Sequence, residues 1–209
     1  MKRIDKIWAS LGMIGSVIYI CHTVLGRLLW REYNPITTDI SSLTAIGAPD
    51  RELLSIFTTM YGIFVILFAL YMVKMAFSNH NMLLRVGWII YLVMQIVSCF
   101  GYMLFPLSKD KTEMTFGNTM HIVVTMIVVF TTITSGFVLA AGYLKEPEHR
   151  WLGKFTLIIA MLITVFGAMN PIGMANHWNI LGLTERIVIY SLQLFTFVIS
   201  DYYTVFRKS

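Results

Sequence analysis

The chain has 209 residues, of which 57% are hydrophobic and 13% charged, with a mean hydropathy of +0.71. A soluble domain carries about 25% charged residues, so most of this surface does not face water. The net charge of +5 is spread over short connecting segments without interleaved aromatic residues, which excludes a nucleic-acid-binding surface.

Six continuous apolar runs follow one another, at about 8–30, 53–77, 83–105, 117–144, 152–170 and 184–206. A helix needs roughly 20 such residues to cross the hydrocarbon core. The runs do not alternate, which excludes a transmembrane β-barrel, and in lipid every backbone group must then be bonded within its own helix. The predicted fold is all-α: a polytopic, six-transmembrane-helix bundle forming one domain over 1–209. The basic stretch Met1–Lys6 looks like the start of a signal peptide. The apolar run behind it is too long for one and lacks a small-residue cleavage site, so it is expected to remain as the first helix.

Lysine and arginine set the expected orientation. Lys2, Arg3, Lys6, Lys74, Arg85, Lys145, Arg150, Lys154, Arg207 and Lys208 fall on the side of the chain termini, ten in all. Arg27, Arg31, Arg51, Lys109, Lys111 and Arg186 fall on the other side, six in all. The positive-inside rule then predicts a cell-membrane protein with both termini in the cytoplasm. The cytoplasmic connections, Ser78–Asn81 and Lys145–Arg150, read as short and plain. The outer ones are longer: Tyr33–Arg51, Pro106–Phe116 and Pro171–Leu183. The first of these predicts an extended Asn34-Pro35 entry, a short interfacial helix capped near Asp39, and a break at Gly47 and Pro49.

Within the spans, Thr132, Gly136 and Ala140, and likewise Ala160, Thr164 and Ala168, recur every four residues and predict close helix packing. Gln95 and Gln193 predict interhelical hydrogen bonds, while Asp201 lies near the cytoplasmic end. Cys21 and Cys99 have no metal-binding or CxxC spacing and are expected as small buried hydrophobes. No P-loop, dinucleotide fingerprint or nucleophile elbow occurs, and the cofactor is left open.

Ionisable groups in a span usually face the bundle interior or a cavity. His22 in the first span, His121 opening the fourth and His177 in the last outer loop share the outer side with Tyr33, Asn34, Asp39, Ser41, Asp110, Glu185 and Arg186. His22, Tyr33, Asn34, Asp39, Ser41, His121, Glu185 and Arg186 are the candidate ligand-binding residues. His22, His121, Ser41 and Glu185 are the candidates for catalysis, and His22, His121 and His177 for a metal. A buried histidine bonded to a carbonyl explains His22 as well as a proton-linked role does. Thr184 is expected to cap the sixth helix before Glu185. Arg186 serves as an interfacial anchor, or one of this pair turns inward to meet Asp39 or His22.

At these residues the chain resembles the family of domain of unknown function 998, bacterial and archaeal membrane proteins. Tyr33-Asn34-Pro35, Ile40-Ser41-Ser42-Leu43 and Gly47-Ala48-Pro49 look like its first outer loop. His22 with Gly26, Phe105-Pro106, His121 and Gly182-Leu183-Thr184-Glu185-Arg186 match its pattern, while the acid expected soon after Pro106 is delayed to Asp110. The resemblance implies a six-helix membrane fold without an assigned activity. Three functions remain open. The first is binding of a membrane lipid or lipid-like ligand at the outer face, with Arg27, Arg31, Arg51 and Arg186 available for an anionic headgroup. The second is membrane-embedded hydrolysis, with or without a metal, and the third is a non-catalytic assembly subunit. The oligomeric state is left open.

Overall fold

The computed structural model describes residues 3–108, 110–111 and 113–206. Lys2, Lys109, Arg207 and Lys208 of the charge count lie outside them. Six helices cover almost all the rest: α1 (Arg3–Leu29), α2 (Arg51–Asn79), α3 (Met82–Leu104), α4 (Phe116–Leu144), α5 (Arg150–Ala175) and α6 (Leu181–Asp201), the last continuing as a π-helical turn, Tyr202–Phe206. At 1.5 Å per residue they are roughly 30–45 Å long, and all six are apolar enough to cross a membrane. Their outward faces carry large apolar side chains: Leu28 and Phe130 are 72% and 71% exposed. Apolar surface this continuous marks contact with lipid rather than water.

Each helix packs against its neighbours in sequence, and α6 closes the ring against α1. Ser200 in α6 fixes the closure. Its hydroxyl donates to the Ala9 carbonyl at 2.5 Å and accepts the Met13 N–H at 2.8 Å. The start of α1 therefore lies beside the end of α6, and both described chain ends share one end of the bundle, here termed the terminal end. The described residues of the loops 30–50, 105–115 and 176–180 share the other, the loop end.

The centre is filled by aromatic rings. Trp88 of α3 stacks on Phe195 of α6 at 6.1 Å and meets Phe68 of α2 edge-on at 5.9 Å. Tyr91 and Thr196 share a 2.7 Å hydrogen bond. One layer nearer the loop end, Gln193 donates to the Tyr61 hydroxyl at 3.1 Å, which donates to Gln95 at 3.4 Å. The two glutamines thus bond across helices as expected, through a tyrosine. The small-residue rows face each other: a Cβ on Gly136 would lie 3.1 Å from the Ala160 Cβ. Cys99 is half-buried, but Cys21 is exposed on the outer surface of α1, contrary to the expected burial.

The first helix begins at Arg3, ahead of the expected 8, and two boundaries at the loop end also differ from expectation. The fifth helix continues through Pro171 to Ala175. Proline removes one N–H from the ladder near the helix end, and packed neighbours make that tolerable in a membrane helix. The helix then ends in a Schellman motif, with Trp178 N–H bonded to the Gly173 carbonyl at 2.9 Å and His177 N–H to the Met174 carbonyl at 3.3 Å. The second difference is that α6 begins at Leu181, so Thr184 sits within the first turn and does not cap it. The Thr184 hydroxyl instead points back to the carbonyls of Ile180 and Leu181, both at 3.1 Å, and to Asn170 of α5.

Candidate functional site

The first loop contains the expected short helix, a 3₁₀ turn at Ile40–Thr44, and Gly47 follows with φ 83°; Asp39 stands at the N-cap position but makes no side-chain cap hydrogen bond. It is fastened down by the start of α6. The Arg186 guanidinium donates to the carbonyls of Pro35 (2.6 Å), Thr38 (3.1 Å) and Gly182 (2.9 Å), and to the Tyr33 hydroxyl. Its planar fork of donors suits this convergence of oxygens. Tyr33 donates onward to the Asp39 carbonyl at 2.9 Å. Burial pushes the Tyr33 phenol up to about 12 against the opposing pull of Arg186, so it stays protonated and able to donate. Glu185 accepts the Ile40 N–H at 2.6 Å, and Leu183 N–H bonds the Ile36 carbonyl at 2.9 Å. Glu185 and Arg186 thus both turn toward the loop, and their direct bonds are to backbone groups and Tyr33 rather than to Asp39 or His22.

The loop between α3 and α4 joins the same cap. Ile46 N–H bonds the Leu107 carbonyl at 2.8 Å, and Lys111 contacts both Asp39 and Ser42. Ser42, not Ser41, donates to the Asp39 carboxylate, at 2.7 Å. The Ser41 hydroxyl has no hydrogen-bond partner among the described residues. Asn118 organises this loop from within α4: its amide nitrogen reaches Ser108, Asp110 and Glu113, and its oxygen accepts the Ser108 N–H.

His121 is buried beside Tyr102, with Nδ1 2.8 Å from the Phe105 carbonyl, so Nδ1 carries the proton. His22 is 1% exposed, meets the Tyr19 ring edge-on at 5.6 Å, and has neither ring nitrogen hydrogen-bonded among the described residues. Asn34 is exposed and folds its side chain onto Ile36 N–H at 2.9 Å. Of the four arginines expected to meet an anion, Arg27, Arg51 and Arg186 all donate to main-chain carbonyls, and Arg31 is exposed.

His177 belongs elsewhere, to a cavity of about 240 Å³ at the loop end. Its walls come from the end of α5 (Asn170, Gly173, Met174), the turn His177–Ile180, Thr184 of α6, and Thr37 of the clamped loop. His177 and Asn179 both hold positive φ, 57° and 51°. At His177 the cause is the Schellman motif, which places its closing residue in the left-handed region where glycine is preferred.

The terminal end holds a cluster that reading the connections as plain did not reveal. His80 Nδ1 lies 2.7 Å from Glu146 Oε2, and His149 Nδ1 lies 3.2 Å from the same oxygen. Glu146 Oε1 accepts the Asn81 N–H at 3.0 Å and the Asn81 side-chain amide at 2.9 Å. Burial pushes the Glu146 carboxyl up, but these donors and the two imidazoles outweigh it and hold the carboxyl below the usual range. Among the described residues this is the group of three whose donor atoms are close enough together to hold a metal ion. His22, His121 and His177 form no such group. The local signal was Glu146-Pro147-Glu148-His149, a Glu-x-x-His spacing, in the connection opposite His80-Asn81.

A closed ring of six lipid-facing helices, capped at one end by interlocked polar loops, defines a multi-pass membrane protein. Residues 13–200 match the family described as protein of unknown function (DUF998), and the chain belongs to it. No curated protein and no solved structure matches it.

Proposed function

We propose that this chain is a cell-membrane protein, with both termini cytoplasmic, that binds the headgroup of a lipid or lipid-like amphiphile at its extracytoplasmic end. The observation that carries this reading is the 240 Å³ cavity, whose lining mixes Asn170, His177, Asn179 and Thr184 with Met169, Met174, Ile180 and Leu181. Small-molecule sites commonly measure about 300–1,000 Å³, so this one suits a headgroup rather than a whole lipid. The tail has a place beside it, because Ile172, Met174 and Trp178 are exposed on the outer surface. A tryptophan there fits the interfacial belt. Tyr33, Glu185 and Arg186 are positioning residues in this reading, since they hold the segment that carries Thr37. Asn34, Asp39, Ser41, His22 and His121 belong to the cap and bundle beneath it.

Two variants separate ligand binding from folding. His177→Gly relieves a left-handed histidine and is expected to raise stability by about 1 kcal/mol while lowering the amount of co-purified amphiphile. Gly173→Leu places a side chain against the cavity and is expected to displace that amphiphile with the fold intact. The measurements are thermal unfolding in mild detergent and mass spectrometry of the retained lipids. Wild-type lipid retention in both variants would overturn the reading.

A further inference from the structure

We propose that His80, Glu146 and His149 form a binding site for a divalent transition-metal ion of the zinc type. It rests on the terminal end alone and is independent of the amphiphile reading. Two imidazole nitrogens and one carboxylate oxygen converge there, all within 4.8 Å of one another. Zinc takes imidazole and carboxylate ligands at about 2.0–2.1 Å, which in tetrahedral geometry sets neighbouring donor atoms roughly 3.3 Å apart. The two imidazole nitrogens lie 2.7 and 3.2 Å from Glu146 Oε2, close to this spacing, and within 4.8 Å of each other. Three protein ligands leave a fourth position for water or a bound group. Imidazole donors disfavour the hard cations calcium and magnesium.

The surroundings are built as an outer ligand shell would be. Asn81 takes up Glu146 Oε1 with two hydrogen bonds, which leaves Oε2 turned to the histidines. Asn81 is itself fixed, because its oxygen caps α3 at the N–H groups of Leu83 and Leu84 and its amide reaches the Gly142 carbonyl at 2.9 Å. His80 Nε2 lies 3.0 Å from the Tyr203 hydroxyl, the kind of second contact that orients a ligating imidazole. His80 and His149 are only 6% and 8% exposed although both sit in short connections. The ligands come from the α2–α3 and α4–α5 connections, so an ion would fasten these two together, with the turn after α6 joined to them through the Tyr203–His80 contact.

The test uses the full chain, purified in detergent through a tag without histidines, stripped with a chelator and titrated with Zn²⁺ or Co²⁺ alone. One ion per chain is expected, with the visible bands of four-coordinate cobalt. His149→Ala and Glu146→Ala are each expected to weaken binding at least about 100-fold, and Asn81→Ala about 10–100-fold. His177→Ala is expected to bind as the wild type does. A wild-type chain that takes up no stoichiometric metal at micromolar concentration overturns the proposal, as does a His149→Ala chain that binds normally. The first result would show the cluster to be a hydrogen-bonded clamp between the two connections. Should the variants fail to fold, the wild-type cobalt spectrum decides alone: four-coordinate bands support the site and their absence rejects it.

Discussion

Arg186→Ala is expected to release the loop 30–50 and to destabilise the protein by about 3–5 kcal/mol, because each buried acceptor left unpaired costs about 1–3 kcal/mol. The guanidinium holds three carbonyls and the Tyr33 hydroxyl, and lies 5.3 Å over the Tyr33 ring. Hydrogen bonds to a charged group contribute about 1.5–3 kcal/mol each. These four share one side-chain conformation, so their losses do not simply add. Arg186→Lys keeps the charge but loses the planar fork and is expected to recover about half the loss. Thermal unfolding reads the stability, and limited proteolysis within 33–50 reads the loop. Wild-type protection in Arg186→Ala would mean that the loop is held chiefly by Glu185 and Lys111.

Gly182→Ala is expected to cost about 3 kcal/mol by a different route. A Cβ at this position would lie 2.3 Å from the Thr38 carbonyl oxygen and 2.6 Å from that of Pro35. Both are backbone atoms and cannot swing aside as a side chain would. The overlap must be relieved by lifting the loop or tilting the start of α6, within the usual cost of overpacking, about 1–3 kcal/mol, plus loosened bonds to Arg186. The two carbonyls that the methyl would strike are the ones Arg186 binds, so the substitutions are coupled. The double variant is expected to cost clearly less than the sum of the singles, measured by a double-mutant thermal cycle. Additive losses would show that Gly182 and Arg186 hold different parts of the structure.

The spans were legible because a membrane imposes one length and one backbone solution, and the 3₁₀ turn after Asp39 because Gly47 and Pro49 punctuate it. The ends of α5 and α6 were not. Pro171 reads as a stop, yet a proline close to a helix end costs little when packing carries the helix on. Thr184 reads as a cap, yet it bonds back to carbonyls of its own first turn. Tyr33, Gly182, Glu185 and Arg186 stood out in the sequence, but their role as a fastening depends on backbone carbonyls, which a sequence does not display. Lys111 and Asn118 gave no local signal, since their partners lie in other loops or are main-chain atoms. His80 and Glu146 sit in separate connections that look plain because they are short. Shortness is also what brings them together: a tight turn leaves its side chains beside the neighbouring tight turn.

The aromatic layer of Phe68, Trp88, Tyr91 and Phe195 divides the interior into two compartments. Packed rings at the centre leave the chemistry of the loop end and that of the terminal end without a shared solvent. The two compartments are spanned by the same helices, α5 and α6, which run from the cavity wall at one end to His149 and Tyr203 at the other.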